Sequence, residues 1–182
     1  YRVALEYADS LGALIISHAE DSSLASGGVI NEGAASTRLG LQGISDLAES
    51  VAVARELEVL RYSGGKLHFA HISTKRSIEL IRQAKKDGLS VTCETAPHYF
   101  SLSDEDIKTF EAKFKMNPPL RSREDKEAVI EGLQDGTIDV IATDHAPHNL
   151  EEKLMPLPKA PMDIVGFATS HGLCITNLVD RG

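Results

Sequence analysis

The stretch Asp135–His148, DGTIDVIATDHAPH, decides the predicted fold. Its central residues Thr137–Ala142 form a short apolar run, which is typical of a buried strand. Asp144 lies at the carboxyl end of this strand, where a buried carboxylate without a partner would be costly. Pro147 and polar residues follow, so no helix begins at once for Asp144 to cap. Metal ligation would supply the missing partner and leave the second carboxylate oxygen free for proton transfer.

Upstream of this stretch, short apolar runs alternate with amphipathic segments. Apolar spacing and turn residues predict three further strands, at Ala13–Ser17, Lys66–Ile72 and Leu89–Thr92. Helices are predicted at Ile44–Leu60, Lys75–Lys86, from Ser103, at Ser122–Leu133 and at Ile164–Val179. The first of these carries its apolar face on Leu47, Val51, Ala54 and Leu57. The glycine-rich segment Gly27–Gly43 is interpreted as a long loop, and Phe114–Leu120 as extended chain.

Repeated strand–helix units with apolar strands favour an α/β fold with a parallel sheet. Four such strands are about half of a (β/α)8 barrel of roughly 250 residues. An open, doubly wound sheet is the alternative, but no GxGxxG motif follows any predicted strand. We therefore predict part of a (β/α)8 barrel of the TIM type.

The composition is that of an average globular domain, with 42% apolar and 25% charged residues among 182. The formal charge of −8 argues against a nucleic-acid partner but not against an anionic substrate, since a metal ion can invert the local field. No apolar run is long enough to span a bilayer, so no membrane partner is expected. Cys93 and Cys174 form no CxxC pair, which favours a reducing cytoplasm. Cys93 is interpreted as a small buried hydrophobe.

Two histidines share the position of Asp144 relative to a strand. His18 and His71 lie at or just past the carboxyl ends of the first two predicted strands. In a barrel these ends form the mouth of the active site. Imidazole and carboxylate are ligands that zinc accepts in catalytic sites. His145 could orient Asp144 from behind, and His148 could reach a substrate from the loop.

Five motifs along the chain carry a family resemblance. They are ISHAED (Ile16–Asp21), FAHIST (Phe69–Thr74), VTCETAPHYFSL (Val91–Leu102), KMNPPLR (Lys115–Arg121) and the opening stretch Asp135–His148. In this order and spacing they resemble the class I dihydroorotases of the amidohydrolase superfamily. Hydantoinases, dihydropyrimidinases and allantoinases belong to the same superfamily, and the PHY triplet is similar to the allantoinase form. The NPPLR and TDHAPH motifs favour dihydroorotase.

The resemblance implies a zinc-dependent enzyme with two Zn²⁺ ions in its complete active site. Its reaction is the reversible hydrolysis of the cyclic amide of (S)-dihydroorotate to N-carbamoyl-L-aspartate in de novo pyrimidine biosynthesis. His18 and His71 are implied as ligands of one metal, and Asp144 as a ligand of the other and the general acid/base. The residues implied in substrate binding are Asn117, His148, Met162 and Asp163. The resemblance also allows a homodimer and an association with aspartate transcarbamoylase.

The chain departs from the family pattern at several points. The HxH pair, the Arg that follows it and the bridging carboxylate, an Asp or a carboxylated Lys, do not occur. We therefore expect residues 1–182 to be the central to C-terminal portion of the barrel domain, inactive when isolated. Asp163 and Ala168 replace a usual Gly and Glu, and His171 is interpreted as a helix-face residue. A carboxylate at position 163 should weaken the binding of an anion unless it points outward or pairs with Lys153 or Lys159.

Two alternative functions remain at this point. One is a related cyclic amidase, either an allantoinase or a hydantoinase/dihydropyrimidinase. The other is a non-catalytic dihydroorotase-like binding protein, which the departures at Asp163 and Ala168 favour slightly.

Overall fold

The computed structural model describes residues 1–180 and contains a four-stranded parallel sheet with helices between its strands. Arg181 and Gly182, which end the predicted domain, lie outside the described residues. Within the described range, no helix is long and apolar enough to cross a membrane. The strands are β1 (Leu14–Ser17), β2 (Ile30–Asn31), β3 (Gly43–Ile44), β4 (Lys66–Phe69), β5 (Val91–Thr95) and β6 (Val140–Ile141).

The helices lie before, between and after these strands in the sequence. They are α1 (Arg2–Ser10), α2 (Ser22–Ala25), α3 (Ala34–Leu39), α4 (Leu47–Ser63), α5 (Lys75–Lys86), α6 (Pro97–Ser101), α7 (Arg123–Gln134), α8 (Leu150–Lys153) and α9 (Ser170–Cys174). Single 3₁₀ turns cover Asp104–Asp106 and Ala112–Phe114, and a π-helical turn covers Ile175–Val179.

The main sheet has the strand order β1-β4-β5-β6, and every neighbouring pair is parallel. The long crossover helices α4, α5 and α7 lie between successive strands, with α4 packed on α5 and α5 packed on α7. Leu67 and Phe69 of β4 and Cys93 of β5 are fully buried beneath them. This arrangement confirms the predicted parallel α/β fold, because consecutive strands of a barrel pair in the same way.

The predicted loop at Gly27–Gly43 is wrong, because the segment contains β2, α3 and the first residue of β3. A Cβ added to Gly43 would stand 2.4 Å from the Cα of Glu32, so glycine is needed there for close backbone approach. The small sheet also buries Ile30, which packs with Met116 and Leu120 in a second apolar cluster. Glycine-rich sequence is common to loops and to closely packed strands, and the sequence pattern did not separate the two.

The predicted helix at Ile44–Leu60 is confirmed as α4, but its predicted apolar face is only half right. Leu57 is buried, whereas Leu47 and Val51 are 51% and 42% exposed and Val53, outside that face, is fully buried. Apolar residues occur all around this helix, so their spacing did not identify the side that faces the sheet.

The predicted closing helix at Ile164–Val179 begins later than expected. Ile164 forms a parallel bridge with His145, and its carbonyl oxygen accepts a hydrogen bond from the backbone N–H of Ala146 at 3.0 Å. These contacts satisfy the backbone in an extended conformation. The helix therefore begins at Ser170.

The remaining predicted elements differ mainly in their ends. The helix at Lys75–Lys86 is as predicted, and Ser122 caps α7 by accepting the backbone N–H of Asp125. The last predicted strand shortens to β6, and a 3₁₀ turn replaces the helix predicted from Ser103. A second 3₁₀ turn ends at Phe114, where the segment predicted as extended begins. Helices α1, α2, α3, α6 and α8 were not predicted.

Glu49 of α4 is buried at 2% exposure, with the loop after β4 folded around its carboxylate. It accepts hydrogen bonds from the backbone N–H groups of Ser73 and Thr74 at 3.0 to 3.2 Å and from both hydroxyls. Arg121, also buried, donates from Nε to the Ser73 hydroxyl at 3.2 Å. Bonds to a charged acceptor are the stronger kind, so this carboxylate fixes the loop that carries His71.

Replacing Glu49 by Ala should lower the free energy of unfolding by about 3 kcal/mol or more, because several buried donors would lose a charged acceptor. Glu58→Ala is the matched control, since Glu58 lies on the same helix with a side chain that is 75% exposed. Its effect should stay within about 0.5 kcal/mol. Denaturant unfolding of the protein measures the free energy of unfolding of both variants. Equal losses would show that the hydrogen bonds to the Glu49 carboxylate contribute little to stability.

Candidate active site

His18 and His71 meet at the carboxyl edge of the sheet, as predicted. The β1–β4 register pairs Ser17 with Phe69, so the two histidines emerge side by side. His18 Nδ1 lies 2.9 Å from His71 Nε2, and the ring planes stand at 70°. His71 has a φ of 37°, in the left-handed region that non-glycine residues rarely adopt. Such strain is typical of functional positions.

Asp144 follows β6 at the same edge and is also left-handed, with a φ of 47°. Burial raises the pKa of its carboxyl group, and the charge of His71 opposes that rise. The pKa of His71 is lowered, first by burial and then by the charge of His18. The structure thus gathers the three predicted metal-binding residues at one edge of the sheet.

His98, which belongs to the VTCETAPHYFSL motif, approaches Asp144 from α6. Its Nε2 lies 3.9 Å from Asp144 Oδ2 and has no hydrogen-bond partner within the described chain. Burial lowers the pKa of His98 to about 4, so the ring is neutral at neutral pH. A neutral imidazole beside a carboxylate can donate a hydrogen bond after a small shift.

The donor set fits part of a metal site. Two imidazole nitrogens converge and a carboxylate lies close by, which is the donor chemistry of catalytic zinc. His71 Nδ1 is buried and has no hydrogen-bond partner in residues 1–180, as is expected where a further group binds the ring. In the same range, no three His, Cys, Asp or Glu side chains are arranged to hold an ion. These residues therefore fit a site that needs further ligands.

Asn117 and Met162 line a hollow of about 260 Å³ beside the histidines, together with Glu20. Asn117 Nδ2 donates to Glu20 Oε2 at 2.8 Å and lies 3.4 Å from His18 Nε2. Asn117 Oδ1 is buried and has no partner among the described residues. A free carbonyl oxygen in this position can accept a hydrogen bond from a ligand N–H.

His148 and Asp163 line a neighbouring cavity of about 270 Å³. His148 Nδ1 lies 3.9 Å from Glu152 Oε2. Asp163 has a φ of 71°, so a third strained residue belongs to this region. Its carboxylate accepts the backbone N–H of Asn117 at 3.0 Å, which links the two hollows. Neither Lys153 nor Lys159 pairs with that carboxylate.

His145 does not orient Asp144 through its Nδ1, contrary to the sequence-based suggestion. That nitrogen accepts the backbone N–H groups of Gly166 and Phe167 at 3.1 and 3.2 Å. The backbone bridge to Ile164 turns His145 toward the incoming C-terminal segment. His145 therefore holds this segment against the loop after β6.

Three further residues lie outside the candidate metal site. His68 contacts the neighbouring strand β5, with Nδ1 2.8 Å from Thr92 Oγ1 and Nε2 3.3 Å from Glu94 Oε2. Cys93 is fully buried, as expected, and burial raises the pKa of its thiol to about 12, so it is not a nucleophile. His171 is exposed on α9, as expected of a helix-face residue.

Two residues of the site region, Glu20 and Glu49, were not predicted from the sequence. Glu20 stands two residues after His18 in the ISHAED motif, so its position beside a predicted ligand was the available signal. Glu49 lies within an amphipathic helix and looks like an ordinary surface glutamate, so its sequence position carries no comparable signal.

A family model described as "Dihydro-orotase-like" matches residues 3–77. The chain is 55% identical to a dihydroorotase of Acetivibrio thermocellus over 179 residues, which cover 98% of this chain and 42% of that protein. It is 52% identical to a dihydroorotase of Geobacter metallireducens over 181 residues, covering 100% of this chain and 42% of the relative. The chain thus spans less than half of the curated relatives it matches.

Solved structures show the same partial coverage. An L-hydantoinase (dihydropyrimidinase) from Arthrobacter aurescens aligns with a TM-score of 0.85 and 28% identity, over 100% of this chain and 42% of that one. A D-hydantoinase (dihydropyrimidinase) from Thermus sp. aligns with a TM-score of 0.84 and 24% identity, also over 100% and 42%. The fold is therefore part of a (β/α)8 amidohydrolase barrel, as predicted, and the open-sheet alternative is wrong.

Proposed function

We propose that this chain, a relative of the dihydroorotases along its whole length, forms part of a zinc-dependent dihydroorotase. The observation that carries the proposal is the meeting of His18, His71 and Asp144 at one sheet edge, in a chain more than half identical to dihydroorotases. The reaction would be the reversible hydrolysis of (S)-dihydroorotate to N-carbamoyl-L-aspartate. Residues outside this chain would complete the site, so the isolated chain would be inactive.

His18 and His71 would hold one zinc ion, and Asp144 would bind a second. When bound, zinc would polarise the ring carbonyl and lower the pKa of the attacking water. Asp144 would accept a proton from that water as its oxygen attacks the carbonyl carbon. It would then deliver the proton to the ring nitrogen as the carbon–nitrogen bond breaks. The upward shift of its pKa by burial suits a group that must both take and return a proton.

Asn117 and His148 would orient the substrate from two sides. The unpartnered Oδ1 of Asn117 can accept a ring N–H, and His148 lies in the adjoining cavity. Met162 lines the Asn117 hollow and supplies an apolar contact for the ring. A cyclic amide with both hydrogen-bond donors and acceptors fits such a mixed surface.

A hydantoinase or dihydropyrimidinase activity is the second candidate. It is favoured by the structural likeness to hydantoinases, but their identities of 22% to 28% are about half those of the dihydroorotases. The non-catalytic alternative is disfavoured because His71 and Asp144 both adopt strained backbone conformations, which are typical of functional positions. We also propose a cytoplasmic location, with a homodimer and contact with aspartate transcarbamoylase as assemblies to examine.

The full-length protein should hydrolyse dihydroorotate with a kcat/KM at least about 100-fold above its values for hydantoin and allantoin, since a site built to hydrogen-bond one ring rejects analogues strongly. Parallel assays of the three substrates in zinc-containing buffer provide the measurement. A preference for hydantoin or allantoin would select the second candidate, and no turnover of any ring would favour a binding role.

Asp144→Asn in the full-length protein should lower kcat by about 100-fold or more in both directions, the usual scale for loss of a general acid/base. Circular dichroism should show an unchanged fold. Asp9→Asn, at an exposed position of α1, is the control and should keep normal turnover. Near-normal turnover of Asp144→Asn would remove this residue from the mechanism.

A further inference from the structure

Asp163 combines two features that glycine could not provide together. Its φ of 71° places the backbone in the left-handed region, which Asp tolerates better than most side chains. Its Oδ1 accepts the backbone N–H of Asn117 at 3.0 Å. Glycine would adopt the same φ with less strain but would leave that N–H without its acceptor.

The segment that presents Asp163 is held by two lysines. Lys153 Nζ donates to the carbonyl oxygens of Pro161 and Asp163 at 3.1 and 2.8 Å. Lys115 Nζ, which belongs to a residue only 5% exposed, donates to the carbonyl oxygens of Pro158 and Ala160 at 3.1 and 2.7 Å. Charge-assisted bonds of this kind fix a loop more firmly than neutral ones. The segment that carries Asp163 is therefore held rigidly by these hydrogen bonds.

The contact fixes the backbone position from which the Asn117 side chain projects. With the backbone N–H of Asn117 held by Asp163, and its Nδ2 held by Glu20 at 2.8 Å, the remaining Oδ1 has a fixed orientation. That oxygen is buried and unpartnered among residues 1–180. Preorganised acceptors bind a ligand more tightly because less ordering is needed on binding.

We propose that Asp163 is a positioning residue, which orients Asn117 toward the N–H group of a cyclic amide and so sets substrate affinity. The inference deepens the proposed function and rests on it. It reverses the expectation from charge alone, by which a carboxylate at this position repels an anionic substrate. The carboxylate is directed to a backbone N–H, and the ammonium group of Lys153 lies on the same loop, where it donates to the Asp163 carbonyl oxygen.

Three substitutions of Asp163 in the full-length protein separate the effect of its hydrogen bond on substrate affinity from the effects of its charge and its backbone strain. Asp163→Asn keeps a side-chain acceptor and tolerates the left-handed backbone, so its KM for dihydroorotate should stay within about twofold of the wild-type value. Asp163→Gly relieves strain but removes the acceptor, and its KM should rise about 5- to 10-fold with kcat little changed, the scale of one lost hydrogen bond. Asp163→Ala should raise KM at least as much. Lys159→Ala, an exposed change in the same loop, is the control and should leave KM unchanged.

Amide hydrogen exchange of Asn117, measured by NMR on the metal-free full-length protein, gives a readout independent of turnover. Exchange should be slow in the wild type and Asp163→Asn, and roughly tenfold faster in Asp163→Gly, because the hydrogen bond is lost. A lower KM in Asp163→Gly, or unchanged KM and exchange, would overturn the proposal. If the wild type does not hydrolyse dihydroorotate, the proposed function fails, and the exchange rates alone still decide whether Asp163 holds Asn117.

Discussion

The parallel register of β1 and β4 is the constraint on which the rest of the site depends. Because Ser17 pairs with Phe69, His18 and His71 leave the sheet at the same level and bring their ring nitrogens to 2.9 Å. The next two strands continue the same direction, so Asp144 emerges at the same edge. A shift of one residue in this register would turn one histidine to the opposite face.

The loops beyond this edge hold strained residues in place with buried polar contacts. His71, Asp144 and Asp163 each adopt a positive φ, a conformation that costs of order 1 to 3 kcal/mol and persists only when the surroundings impose it. Glu49 holds the backbone near His71 in place by accepting hydrogen bonds from the N–H groups of Ser73 and Thr74. The stability of the surrounding fold thereby offsets the cost of holding these residues in strained conformations.

The sequence was sufficient to predict the elements whose physical cause is local. Apolar runs followed by His18, His71 and Asp144 predicted both the parallel sheet and the convergence of these side chains, since parallel strands end at one edge. The cap at Ser122 and the helix after it were predicted for the same reason. The small sheet was not predicted because glycine is needed for the close backbone packing at Gly43 and is also typical of flexible loops. The burial of Glu49 depends on a loop distant in sequence, so no local pattern indicates it.

A crystal structure of the full-length, zinc-loaded protein, with anomalous data collected at the zinc absorption edge, tests the proposed metal site. We expect an anomalous peak about 2.0 to 2.1 Å from one ring nitrogen each of His18 and His71, the usual zinc–nitrogen distance. We expect a second peak within bonding distance of an Asp144 oxygen. Zinc bound elsewhere, with His18 and His71 still in contact with each other and free of metal, would contradict the assignment of this sheet edge as the active site.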